Sequence, residues 1–205
     1  MDNRNFKRTI RFSLSIAVIT FVLAAIFSII SQASLEGTSW IVGLFVVLVI
    51  IIIGVLFDMM GIASAAANET PFHAMAARKV YGAKHALSIV RNADRFASFC
   101  NDVIGDISGI ISGTATGIVV IQIMLTVNSD NPSLYNFVIT TILTSVVAAL
   151  TVGGKALGKT FAITRSTDII LFAGKIAAFM ESKFKIKLIP EIKKNKNSNK
   201  KVKGV

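Results

Sequence analysis

Residues 40–57 read WIVGLFVVLVIIIIGVLF, eighteen positions without a charge or a proline. As a helix this run is about 27 Å long, close to the thickness of a bilayer's hydrocarbon core. It lacks the polar face that a helix lying on a soluble core needs, so membrane insertion is the expectation. The rest of the chain agrees. Phe12 to Ile30 is a second uncharged run. Of the 205 residues, 53% are hydrophobic and 16% charged, against roughly 25% charged in soluble domains. These runs predict an all-α polytopic membrane protein with four spans, at about 10–32, 39–60, 97–126 and 133–153.

The connections supply an independent test. Arg4, Lys7, Arg8 and Arg11 precede the first span, and Arg78, Lys79, Lys84, Arg91 and Arg95 lie between the second and third. The 33–39 connection carries Glu36 and the 127–132 turn Asp130, and neither has a Lys or Arg. The chain beyond 153 is again rich in Lys. This alternation predicts a multi-pass protein of the cell membrane with both termini cytoplasmic. A signal peptide cleaved near Ser31-Gln-Ala33 is the rival reading of the first span. Its apolar stretch exceeds the roughly 7–15 residues of a usual signal core.

Between spans two and three, Pro71 suits a helix start. Phe72, Met75, Val80, Ala83, Leu87 and Val90 make an apolar stripe opposite Arg78, Lys79, Lys84 and Arg91. The pattern predicts a juxtamembrane amphipathic helix over about 70–95, and residues 161–182 read similarly. The tail 183–205 is a Lys/Asn run whose lysines would meet anionic lipid, at about 1 kcal/mol each, or serve simply as a stop-transfer and topology signal.

The charge of +11 accompanies no nucleic-acid motif, so no nucleic-acid partner is expected. Cys100 alone excludes an internal disulfide and any Cys-rich metal site, and reads as a packing residue. His73 and His85, twelve positions apart, lack the i, i+4 spacing of a helical metal pair. No nucleophile–base constellation or cofactor motif appears, so neither an enzyme nor a bound cofactor is expected.

The third span differs in character. In FASFCNDVIGDISGIISGTATGIVVIQIML, Gly105, Gly109, Gly113 and Gly117 recur every fourth residue, a glycine-zipper stripe that would let two helix backbones approach. Taking Gly105 as 0°, Asp102 falls near 60°, Asp106 near 100° and Gly117 near 120°, so both carboxylates lie within the stripe. A carboxylate at the hydrocarbon edge is costly and marks an ion path, a relay or a buried pair. Asp102 and Asp106, with Asn101, Ser108 and Ser64, form a candidate oxygen-rich cluster suited to a hard cation such as Mg²⁺. Asp58 and Lys155 lie at similar depth, and for Asp58 simple solvation at the interface is the first expectation.

In the order of these elements the chain resembles the transmembrane domain of the cyclin M/CorB–CorC magnesium transporters over about 40–182. Gly61-Ile-Ala-Ser-Ala65 stands where that family has a small-residue S-E motif, and Asp94-Arg95-Phe96 matches its D/E-R-F lead-in to the next span. Ile104-Gly105-Asp106 takes the place of I-G-N, and Gly154 to Ala162 resembles G-E-x-L-P-K-T-x-A. The resemblance implies three core spans with a juxtamembrane belt, a homodimer, and transport of Mg²⁺ or a related cation. Here Ser64 replaces the S-E glutamate, Asp106 and Ile107 the two asparagines, Lys155 the G-E glutamate and Gly158 the proline. The first span is additional, and the family's cytoplasmic nucleotide-binding domains are missing.

Two functional readings follow. In one, the chain is a divalent-cation transporter or channel in which Asp106 and Asp102 supply the charge lost at Ser64 and Lys155. In the other, Lys155 pairs with Asp106 or Asp102 and closes the site, leaving a non-transporting accessory or structural membrane protein. An ammonium within about 4 Å of Asp106 would favour the second.

Overall fold

A computed structural model describes residues 3–126 and 132–184. The turn carrying Asp130 and the tail from 185 lie outside the described residues, as do the side chains of Arg4, Lys7, Arg8 and Arg11. The described chain is helical from end to end: α1 (Asn3–Leu35), α2 (Trp40–Ala66), α3 (Glu69–Ala77), α4 (Ala83–Arg91) and α5 (Ala93–Ser98) are followed by a π-helical segment, Phe99–Gly105. Beyond it come α6 (Asp106–Thr126), α7 (Pro132–Thr164) and α8 (Ser166–Phe184). Four stretches are long and apolar enough to cross a membrane: Ser13–Leu35, Trp40–Ala66, Ala93–Thr126 and Ser133–Thr164. They are the four expected spans, the last running eleven residues further than its apolar core suggested.

The apolar run of α2 makes it the centre of the bundle, with α6 and α7 packed on it through Val47, Ile51, Ala115, Val119 and Val147. α1 lies outside, against α6 and the π segment. It is held at its far end by Gln122, whose Nε2 donates to the Leu35 carbonyl at 2.8 Å. Thr38 donates to the same carbonyl from its hydroxyl at 2.9 Å, so this helix C-terminus is capped where no intrahelical donor exists.

Beyond Gly105, the glycine stripe of the third span does not pack within the chain. A Cβ built on Gly109, Gly113 or Gly117 meets nothing within 4 Å. The tight contacts lie on α2 and α7 instead. A Cβ on Gly43 would fall 2.6 Å from Val119 and one on Gly54 2.7 Å from Ser108, while one on Gly61 would collide with Asn101. On α7, a Cβ at Gly158 would stand 2.8 Å from Met59. Close helix approach is real, but glycines of α2 and α7 provide it.

The juxtamembrane segment is a belt of three short helices rather than one. Lys79 (φ 57°) and Gly82 (φ 81°) take left-handed backbone conformations between α3 and α4, which ends a continuous helix. Gly82 is required there twice over, because a Cβ would also lie 2.6 Å from the Lys175 backbone nitrogen of α8. Phe72, Ala83 and Leu87 are buried as the amphipathic stripe predicted, but Val80, in the turn, stays exposed. The belt packs under α2 and α7 through Ala63, Phe72, Ile89, Ala162 and Ile170.

Polar side-chain contacts clasp the belt. His85 meets Glu181 of α8 at 2.7 Å, and Arg91 Nε donates to Glu69 at 2.8 Å. The Arg91 hydrogen bond holds the Glu69 carboxyl below its ordinary 4.5. This clasp is therefore present above the carboxyl's ordinary range and is lost as pH falls through the lowered value. Neither histidine sits in a metal-type cluster, since no group of three His, Cys, Asp or Glu that could hold a metal ion occurs among the described residues.

Overpacking a tight contact costs about 1–3 kcal/mol. Gly54→Leu or Gly61→Leu should therefore lower the thermal midpoint of the detergent-purified monomer clearly, while Gly113→Leu should leave the monomer near wild type. Equal losses for all three would mean that the third-span stripe is packed as tightly as α2.

Candidate functional site

At the belt end of the bundle α2, α6 and α7 each bring one charged residue to a common point. Asp58 sits one position past the apolar run of α2, Asp106 opens α6, and Lys155 follows Gly153-Gly154 on α7. Lys155 Nζ lies 3.6 Å from Asp106 Oδ1 and 3.9 Å from Asp58 Oδ1, and it donates to the Gly105 carbonyl at 3.4 Å. The ammonium is thus surrounded by oxygens from two carboxylates and one peptide group. Asp58 and Lys155 are 97 positions apart in sequence (155 minus 58).

The local backbone explains the geometry. From Phe99 to Gly105 the third span is a π-helix, in which Asp106 N–H donates to Asn101 O, five residues back. Such wide turns are rare and recur at functional sites. Gly105 forms the floor of the cluster, where a Cβ would stand 3.5 Å from Asp58 Oδ1 and 3.6 Å from Lys155 Nζ. Gly154, beside Lys155, lets α7 approach Val55 of α2, the Cβ distance being 3.1 Å. The small residues of the motif-like segments therefore bring three charged helices together.

Burial decides which pair matters more. The Asp58 side chain is 10% exposed and that of Lys155 22%, whereas Asp106 is 66% exposed. An exposed ion pair is worth about 0–1 kcal/mol. Stranding one partner of a buried pair costs about 3–5 kcal/mol. Asp58, although slightly farther from the ammonium, is accordingly the stronger partner. The first expectation for Asp58, simple solvation, is corrected: it is buried against Lys155 of α7 and Gly105 of the π segment.

The other predicted ligands go elsewhere. Ser64 is 1% exposed and donates to the Gly61 carbonyl at 2.7 Å. Ser108 donates to Ile104 O at 2.8 Å and faces Gly54. Asp102 is exposed on the π segment, without an ion pair among the described residues. Asn101 packs over Gly61, with its Oδ1 buried and unbonded. The five predicted residues thus do not converge on one point. Asp106 alone joins the ammonium cluster, and Asp58 and the Gly105 carbonyl complete it. Cys100 is 2% exposed and unpaired, as expected of a packing residue. In comparison with known proteins, the chain matches no protein family, no curated protein and no solved structure.

Lys155→Met strands Asp58 and should lower stability by about 3–5 kcal/mol, with Asp58→Asn added restoring most of it. Asp106→Asn alone should cost at most about 1 kcal/mol. Thermal unfolding in detergent measures all three. A loss for Asp106→Asn as large as for Lys155→Met would shift the pairing to Asp106.

Proposed function

We propose that the chain is a membrane unit similar to the cyclin M/CorB–CorC transmembrane domain in which its own Lys155 occupies the cation position, and that it serves as a non-transporting accessory or structural membrane protein. The observation that carries this reading is the ammonium held within 4 Å of Asp58 and Asp106 and bonded to Gly105 O. A divalent cation among the same oxygens would stand beside a fixed positive charge. Repulsion between +2 and +1 at 4 Å is on the order of 8 kcal/mol at an effective dielectric of 20. Mg²⁺ gains access only if the ammonium moves away or gives up its proton.

The reading places the belt, both termini and the Lys-rich tail on the cytoplasmic side of the cell membrane, with the tail against anionic lipid. A second copy would pack on the open face of Gly109, Gly113 and Gly117, giving the homodimer that the resemblance implies. No catalytic step and no cofactor belong to it.

Cation transport is the second reading, and two observations favour it. The cluster carries two carboxylates against one ammonium, so one negative charge is left over. Asp106 is largely uncovered, and the buried Oδ1 of Asn101 lacks a hydrogen bond. In that reading Lys155 swings out when a cation enters.

A Mg²⁺ flux assay in proteoliposomes separates the two. The wild type should not exceed empty vesicles, and Lys155→Glu, which exchanges the ammonium for a third carboxylate, should gain Mg²⁺-dependent thermal stabilisation in detergent. Wild-type flux that Asp106→Ala abolishes would establish transport instead.

A further inference from the structure

A second charged feature lies on the opposite side of the π segment, away from Lys155. α1 and the π segment enclose a cavity of about 150 Å³ lined by Ile16, Ile19, Arg95, Phe99 and Val103. Its floor, Val103, is 1% exposed, while Ile19 and Phe99, 47% and 42% exposed, form open walls. Four of the five lining residues are apolar and the fifth is a guanidinium. Arg95 makes no side-chain hydrogen bond or ion pair among the described residues, not even with its neighbour Asp94. Arg91 of the belt and Arg165 before α8 have carboxylate partners, whereas Arg78, like Arg95, has none among the described residues. Arg95 presents an uncompensated positive charge at the mouth of an apolar groove.

Depth identifies what fills it. Ile16 and Ile19 lie four and seven residues into the uncharged run that begins at Phe12, about 6–10 Å along the helix. The Arg95 end therefore sits where headgroups meet acyl chains. Lys7, Arg8 and Arg11 lie on the preceding turns of the same helix. At about 150 Å³ the cavity cannot take even one turn of another helix, roughly 10 Å across, and a soluble anion would gain nothing from its apolar walls. Basic pockets between spans on the cytoplasmic side are recognised sites for lipid headgroups.

We propose that this groove binds one anionic glycerophospholipid of the belt-side leaflet, its phosphate on Arg95 and one acyl chain along Ile16, Ile19, Phe99 and Val103. The site is distinct from the Lys155 cluster and needs only that α1 and the third span lie in a bilayer. It also gives the additional first span a task, since α1 supplies one wall. Guanidinium suits the role because its planar donors engage two phosphate oxygens at once.

The test is native mass spectrometry of the full-length protein released from detergent after incubation with phosphatidylglycerol or phosphatidylcholine. The wild type should retain one phosphatidylglycerol in preference to phosphatidylcholine. Arg95→Gln should weaken that retention roughly fivefold or more, the factor for one basic residue at an anionic surface. Lys159→Gln removes an exposed, unpaired cation from α7 and should change little. Ile19→Trp, which fills the groove from an exposed position, should displace the lipid with all charges kept. Equal losses for Arg95→Gln and Lys159→Gln would reduce the effect to general surface charge. Undiminished retention in Ile19→Trp would place the lipid elsewhere, and displacement by inorganic phosphate would make the site one for a soluble anion. Each of these three results overturns the proposal.

Discussion

Among the described residues, the ammonium of Lys155 on α7 ties together all three helices at the belt end of the bundle. It reaches Asp58 on α2, Asp106 at the head of α6 and the carbonyl of Gly105 that precedes it. In a membrane-spanning bundle, charge at this depth is tolerated only when it is paired or hydrated. The buried Asp58 therefore depends on Lys155, and their contact ties α2 to α7. The surrounding design serves that contact. Gly154 and Gly158 bring α7 onto α2, Gly105 leaves space for the lysine, and the π segment sets the angle at which Asp106 arrives.

The same contact links fold to function. A site of two carboxylates and a carbonyl at the end of a bundle is the chemistry of a hard-cation site. With a lysine tethered inside it, the positive charge is supplied by the protein and does not leave with a substrate. In the proposed reading, stability and cation exclusion both rest on one side chain. A change at Lys155 is expected to alter both, whereas a change at the exposed Asp106 alters mainly the electrostatics of the opening.

The architecture was legible in the sequence because the bilayer imposes a length and a charge rule that composition must obey. Trp40 to Phe57 could be nothing but a span, and the four predicted spans correspond to the four long apolar helices. What the residues could not reveal was pairing. The periodic glycines of the third span announced a close approach, yet the tight contacts belong to Gly43, Gly54 and Gly61 on α2, which share one helix face but stand too far apart in sequence to make a four-residue motif. The belt was visible as an amphipathic stripe, but its division was not, because Lys79 gives no hint of a left-handed backbone. Asp58 and Lys155 were each visible as charges at the right depth. Their meeting depends on how α2 and α7 cross, and no local pattern records that.

The pairing is most directly tested by the reactivity of the Lys155 amine. Reductive methylation followed by peptide mass spectrometry would compare it with Lys159, one turn along the same helix and exposed. An ammonium held by Asp58 and Asp106 should react severalfold more slowly than Lys159, should become reactive in the Asp58→Asn, Asp106→Asn double variant, and should be unaffected by Mg²⁺. Labelling of Lys155 at the rate of Lys159, or its acceleration by Mg²⁺ in the unmodified sequence, would show that the lysine does not occupy the cation position.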